Sequence, residues 1–430
     1  MAPTVATAPK GASVAGTNGQ GQQAPIAAGS LFGVPMVSTQ PRLVPDGGNA
    51  AFAATATQAS QINCPTTKLD QLDIVRGEKL YFSLANVWTA GAGKTLTKSP
   101  FYPASLIQQI TFKLQAAYNT FNLTGPLAAL IQAFRPMWGS NQLGQVQPDA
   151  FANPVNAVAP TIDVSGATTD VKLAVDIPFA WLFDEYFDLN PDGSPRAKMY
   201  DALVTPMFMA AQARVVTPTI TLAPGLTASD LLGGGVTRLT ADATSTFTSV
   251  GSAAMVRDAF WTGQNPAGNP PNFAWLYTRD YFTQPTQGQG QVGVLIQNTG
   301  VSVGQVLSLF GFVWDPQANA GLGGIVPMSS IAKFEILTGG SLQNIAIAPD
   351  ALTDKMRSMY GPAVVSDMPS GCFVFDFAQD EDGGYISNSR AINTYVINGV
   401  QLNITFKAGL IPSATATVFM GVEALKYATS

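Results

Sequence analysis

Histidine is absent from this chain and cysteine nearly so, with only Cys64 and Cys372 among 430 residues. The first absence removes the commonest general base, the base of the Ser-His-Asp arrangement and the commonest metal ligand together. The second excludes Cys-x-x-Cys metal or redox motifs. Two thiols so far apart in sequence read as free thiols of a reducing cytosol, with a disulfide as the alternative. Charge is scarce as well: Asp, Glu, Lys and Arg make up 11% of the chain, against roughly 25% in ordinary soluble proteins. No basic run occurs and the net charge is -5, so the counterion release that drives nucleic-acid binding has little to act on. Direct nucleic-acid contact is not expected. No apolar run approaches the roughly 18 residues of a membrane helix, and no basic-then-apolar leader is visible. Neither a span nor an export signal is expected.

In place of charge stand Gln, Asn, Thr, Ser, Gly and Pro, beside a hydrophobic share of 46%. A polar, weakly charged surface suits a protein that covers itself with copies of itself, because desolvating Lys or Glu costs more than desolvating an amide or hydroxyl. The length allows two or three cores. Residues 1–70 carry little patterned apolar surface, which predicts a flexible arm anchored on neighbouring subunits by Leu31, Phe32, Val34, Met36 and Val37.

Beyond residue 70 the chain reads as short strands separated by turn residues, the pattern of β-sandwiches. Val400, Leu402, Ile404 and Phe406 alternate with Gln401, Asn403, Thr405 and Lys407; Ala416, Val418, Met420 and Val422 alternate with Thr417, Phe419, Gly421 and Glu423. This period of two predicts a strand pair, joined through a turn at Pro412, with one face in a core and the other outside.

An internal repeat organises the rest. Gly77, Leu80, Phe82 and Val87-Trp88 recur as Gly304, Leu307, Leu309 and Val313-Trp314, at an offset of 227 falling to 226. Pro103, Ser105, Ile107, Ile110 and Phe112 recur as Pro327, Ser329, Ile331, Phe334 and Ile336, at an offset of 224. Leu130, Phe134, Arg135 and Met137-Trp138-Gly139 recur as Leu352, Met356, Arg357 and Met359-Tyr360-Gly361, at an offset of 222. Three blocks in one order with a slowly drifting offset imply one unit used twice. Each unit runs strand, turn, strand, then a short helix that Gly terminates. The first helix is expected over Pro126 to Phe134, and the second over Ala351 to Met356 with Asp350 as its cap.

Motifs that suggest chemistry are weaker. Ala92-Gly93-Lys94-Thr95 resembles the end of a phosphate loop, but Trp88 stands where the first Gly belongs. Asp188, Asn190 and Asp192 match the first half of a calcium loop, yet Met199 replaces the closing Glu, so a Pro-Asp-Gly turn is preferred. Asp184 with Glu185, and Asp380-Glu381-Asp382, are neighbours on the chain; on a strand they point apart and cannot flank one glycosidic bond. The sequons at Asn122 and Asn403 fall in strand or turn regions. The aromatic clusters Trp181, Phe183, Tyr186, Phe187 and Trp275, Tyr277, Tyr281, Phe282 read as core or subunit contacts before sugar platforms. No catalytic, cofactor or metal residue is assigned, and no enzyme is expected.

Over roughly residues 72–430 the chain resembles the double jelly-roll major capsid proteins of tailless icosahedral phages, the tectivirus-like and adenovirus-like lineage. The likeness rests on Phe373, Phe375 and Phe377, then Ser389, Arg390 and Asn393, then the Val400 to Phe406 strand, and on the strand, Asn-Leu-Thr-Gly turn and helix from Ile110 to Ile131. It implies an all-β chain of two tandem eight-stranded antiparallel jelly-roll β-sandwiches with short inserted helices. It further implies a homotrimer of six-fold-like outline, assembled in the host cytoplasm and residing in the virion. The implied partners are neighbouring capsomers, minor capsid and vertex proteins and, commonly in family members, an internal membrane. On this reading residues 1–70 are the arm, 71–228 the first jelly roll, 229–300 a connecting excursion or surface loops, and 301–430 the second jelly roll. Two rivals stay open: another virion component such as a spike or vertex protein, and a secreted two-domain β-sandwich that binds carbohydrate or acts as a glycosidase.

Overall fold

The structure, a computed structural model, describes residues 42–55, 61–63, 73–89, 96–97, 101, 104–114, 118–134, 161–162, 168–178, 208–209, 216–222, 246–261, 275–296, 304–321, 323–339, 342–378, 391–394, 396–397 and 399–427. The first part of the chain contributes β1 (Arg42–Thr55), β2 (Gln61–Asn63), β3 (Asp73–Thr89), β4 (Leu96–Thr97), β5 (Ile107–Leu114), β6 (Tyr118–Leu123), β7 (Thr161–Ile162), β8 (Thr168–Pro178), β9 (Phe208–Met209), β10 (Val216–Leu222) and β11 (Thr246–Trp261). The second contributes β12 (Trp275–Pro285), β13 (Gln291–Ile296), β14 (Gln305–Asp315), β15 (Gly324–Ile325), β16 (Ile331–Thr338), β17 (Leu342–Ile347), β18 (Phe373–Asp376), β19 (Ile392–Asn393), β20 (Val400–Phe406) and β21 (Thr417–Tyr427). The helices used below are α1 (Gly125–Phe134), α2 (Pro349–Tyr360) and α3 (Pro362–Asp367).

When the eight principal strands of each part are lettered B to I, one topology emerges twice. In the first, β1-β11-β3-β8 form the order B-I-D-G and β2-β10-β5-β6 the order C-H-E-F. In the second, β12-β21-β14-β18 repeat B-I-D-G and β13-β20-β16-β17 repeat C-H-E-F. This is the jelly roll in duplicate. In both, the helix follows strand F and precedes strand G. The three sequence repeats are therefore strand D, the turn leading into strand E, and the F-to-G helix. Their registers agree: short 3-10 turns at Ala104–Leu106 and Met328–Ser330 lead directly into β5 and β16.

The two rolls share a sheet. Strand F of the first meets strand B of the second in a parallel contact between Phe121 and Arg279, so the first C-H-E-F sheet runs on into the second B-I-D-G sheet. Helix α1 fills the angle beside this seam. Nine of its ten residues are buried, which explains a helix that is apolar all round. Phe134 lies 5.6 Å from Phe310 of β14 and 5.3 Å from Tyr360 of α2, while Phe101 lies 4.8 Å from Phe312. Gln132 ties the helix back to the first roll by accepting the Asp176 N–H. At Gly125 a Cβ would stand 2.0 Å from the Ala104 carbonyl oxygen, so only glycine lets the helix start this close to the turn.

Four expectations change. Residues 42–55 and 61–63 were expected within the arm; they form strands B and C of the first roll, β1 pairing with β11 along its length. The stretch 229–300, expected as an excursion, supplies strand I of the first roll and strands B and C of the second. The small-residue runs of β1 and β11 lack a period of two, and pairing with a long neighbour overrides weak local preference. The last two strands are not partners: β20 lies between β13 and β16, and β21 between β12 and β14, as H and I of a jelly roll must. Ala348, rather than Asp350, is the N-cap of α2, with Pro349 in the first turn; Gly361 ends the helix at φ 87° as expected. The Gly139 terminator and the anchor Leu31 to Val37 lie outside the described residues.

Because Phe134, carried on the helix of the first roll, packs its buried ring on Phe310 and Tyr360 of the second, Phe134→Ala is expected to cost about 3–5 kcal/mol. Denaturant unfolding should show it, with faster amide exchange in both sandwiches; loosening of the first roll alone would contradict the wedge role.

Candidate functional site

The seam between the rolls is the most elaborated polar and apolar feature among the described residues. Strand β14 is buried at every position after Gln305, and β21 from Met420 to Leu425, because the sheet they share is covered on both faces. One face, carrying Leu309 and Val422, packs inside its own roll, where Phe334 of β16 sits 5.2 Å from Phe373 and 5.6 Å from Phe375. The other face, carrying Phe310 and Phe312, meets α1 and Phe101.

On this second face three strands place an ion pair and a serine abreast. Arg279 is directly opposite Glu423, and Glu423 is directly opposite Ser308. Glu423 is 0% and Arg279 4% exposed. Arg279 Nη2 donates to Glu423 Oε1 at 3.4 Å, Ser308 Oγ donates to Oε2 at 2.9 Å, and Tyr277 Oη donates to Oε1. Arg279 Nε also donates to Tyr277 Oη at 3.2 Å. A buried ion pair recovers its desolvation cost only with such added hydrogen bonds.

Asp280 points the other way and binds the rolls together. It accepts from Asn122 Nδ2 of β6 at 2.7 Å and from the Tyr281 N–H at 2.9 Å, while Asn122 accepts from Gln109 of β5 at 2.6 Å. Burial raises the Asp280 carboxyl above its ordinary value, an effect partly offset by these donors and by Lys426. Burial lowers Lys426, again partly offset by Asp280. Burial, then the Asp280 charge, raises Tyr281. Cys372 is a fully buried free thiol pushed well above its usual value, and therefore an inert packing residue.

Several residues singled out in the sequence find their place here. Tyr277 is buried, with Tyr281 and Phe282 half-buried on β12, so these rings are packing groups and not an open platform. Asn122 is engaged between Gln109 and Asp280, and Asn403 is buried and accepts from Gln401 at 2.7 Å. Cys64, Ala92-Gly93-Lys94-Thr95, Asp184, Glu185, Asp188, Asn190, Asp192, Met199, Asp380 to Asp382, Ser389, Arg390 and the cluster Trp181, Phe183, Tyr186, Phe187 lie outside the described residues. Among the described residues no three acidic, Cys or His side chains group as metal ligands, and no helix is long and apolar enough to cross a membrane. The triplet around Glu423 was missed in the sequence because strict alternation assigned Phe419, Gly421 and Glu423 to an outer face. The apolar sequence of α1 was the available sign that something covers that face.

No protein-family profile and no curated protein matches the sequence. Solved structures do. The major capsid protein of the Sulfolobus turreted icosahedral virus superposes with a TM-score of 0.54 at 11% identity, covering 90% of this chain and 98% of that one. An atomic structure of the same virus gives 0.53 at 11% identity, with 90% and 92% covered. The chain shares with them the double jelly-roll fold.

Two mutant cycles probe the seam. Glu423→Leu alone should cost about 3–5 kcal/mol by stranding Arg279, and Arg279→Met with Glu423→Leu should recover most of it; additive losses in urea unfolding would deny the coupling. Asp280, raised in the fold, contributes stability below the ordinary carboxylate range that is lost as pH rises through its folded value. Lys426, lowered, contributes stability above the ordinary lysine range that is lost as pH falls through its folded value. Near neutrality both therefore bear their burial cost. Lys426→Met lifts the lysine's burial cost while withdrawing an attraction from Asp280, so it should not destabilise at pH 7 and should gain stability more steeply than the unmodified chain on acidification as Asp280 protonates, whereas Asp280→Asn with Lys426→Met should flatten the profile; unfolding midpoints between pH 4 and 8 test this.

Proposed function

We propose that this chain is the major coat protein of a tailless icosahedral virus, and that its role is structural rather than enzymatic. The observation that carries the proposal is the duplicated B-I-D-G and C-H-E-F topology, with the two copies fused edge to edge through Phe121 and Arg279. Such a fusion puts two equivalent units in one chain, and the double jelly-roll fold it shares with a turreted icosahedral virus coat supports the same reading. Low charge, a polar surface and the absence of any basic run fit extensive self-contact and no direct hold on a genome.

On this reading three copies form a capsomer of six sandwiches. Capsomers meet neighbouring capsomers and minor capsid and vertex proteins in the virion shell, and an internal membrane is the surface such shells commonly enclose. A sugar-binding role is disfavoured by the burial of Tyr277 and the half-burial of Tyr281 and Phe282.

Native mass measurement of the purified chain should give a trimer or larger assembly, with a hexagonal outline in electron micrographs. In purified virions the chain should dominate a stained gel. A monomer stable at micromolar concentration would overturn the assignment, and a few copies per particle would favour a spike or vertex protein.

A further inference from the structure

Strand β21 is the last of the described strands in chain order, yet it is interior to its sheet, with β12 on one side and β14 on the other. Neighbouring strands stand about 4.8 Å apart, so until β21 is seated β12 and β14 face each other across a slot one strand wide. Each of them already has a hold on the first roll, β12 through its contact with β6 and β14 through α1. Strand β21 ties these two attachments into one sheet, and α1 packs on it as well.

Both rims of the slot grip the turn that leads into it. Ser413 donates its N–H and its hydroxyl to the two carboxylate oxygens of Asp315, at 2.9 and 2.6 Å, where β14 ends. Thr286, one residue past β12, donates its N–H to the Ala416 carbonyl at 2.8 Å and its hydroxyl to the Ser413 carbonyl at 2.9 Å. The turn is thus fastened to both neighbours beside the first paired residues, where Thr417 meets Pro285 and Trp314.

Deeper in the slot only one register fits. A bulge between Val306 and Ser308 of β14 turns Ser308, in place of Leu307, toward Glu423. Gly421 lies against the Phe310 ring, where a Cβ would stand 2.2 Å from its atoms. A slip of two residues would push Phe419 or Glu423 into that ring. It would also leave Arg279 facing Gly421 or Leu425, a buried cation without its counter-charge.

We infer that β21 is a latch, set after the other strands and in one register, whose seating joins β12 to β14 and so fixes the second roll against the first. The slot is accordingly a binding site for an extended segment with a glycine and a carboxylate two residues apart, and the clamp at Ser413 aligns that segment before it zips. The finished seam is thereby reserved for chains made through β21. The inference stands on the fold and does not require the coat-protein reading.

Residues 408–411 are exposed, so a protease site inserted after Gly409 can be cut in the folded full-length chain, leaving residues 410–430 held by contacts alone. In a urea series, departure of this segment should coincide with amide exchange in β12, β14 and α1 at least about tenfold faster than in uncut chain, while the β5–β10 and β16–β17 pairs keep their protection. Removing urea in the presence of excess labelled peptide 410–430 should restore the protection and capture the label. Peptides carrying Gly421→Ala or Glu423→Gln should be captured at least about tenfold less. Protection of α1 that survives departure of the segment, loss of protection in every strand at once, or equal capture of the three peptides overturns the latch.

Discussion

Strands β14 and β18 and the stretch of β21 from Met420 to Leu425 are buried on both faces of their sheet, and this constraint governs the surrounding structure. A strand that must satisfy two cores cannot alternate, and Val-Leu-Ser-Leu-Phe-Gly-Phe-Val-Trp in β14 does not. Helix α1 must then be apolar at all but Gln132, since it packs on β5 and β8 on one side and on β14, through the Phe310 ring, on the other. The glycine at 125 follows from the same crowding, as does Gly421, where a Cβ would lie 2.2 Å from the Phe310 ring. The rolls are thus not beads on a string; they have a common interior in which Phe101, Phe134, Phe310 and Phe312 belong to one cluster.

Polar groups in that interior give the seam its register. Arg279, Glu423 and Ser308 occupy directly opposed positions on three adjacent strands, so sliding one strand by two residues would strand a charge in an apolar layer. On the opposite face Gln109, Asn122 and Asp280 form a ladder over β5, β6 and β12 that crosses from one roll to the other. Apolar packing supplies the larger favourable term, and these hydrogen bonds select one arrangement among the many that packing alone would tolerate.

How much of this was legible in the sequence depended on whether a residue's role was local. Strands D and E and the F-to-G helices were readable because Trp88, Ile110 and Phe112 recur in order as Trp314, Phe334 and Ile336, and both members of each pair hold the same position on their strand. Strands β1 and β11 were not readable, since runs such as Asn-Ala-Ala-Phe-Ala-Ala-Thr owe their extended form to a partner some two hundred residues away. The last two strands were correctly periodic but wrongly paired, because a period of two gives the face of a strand and is silent on its neighbour. Arg279 and Glu423 carried no motif; only the three-strand register brings them together.

The contrast between α1 and α2 has a consequence for how this molecule can change over time. Two units that began alike sit on one polypeptide, so a substitution enters one without entering the other. The greasy helix Leu-Ala-Ala-Leu-Ile-Gln-Ala-Phe and the salted helix Asp-Ala-Leu-Thr-Asp-Lys-Met-Arg are what that freedom has produced. A sandwich encoded once and used in every position would have to meet each surrounding with a single compromise surface; a tandem gene lets selection edit each environment separately.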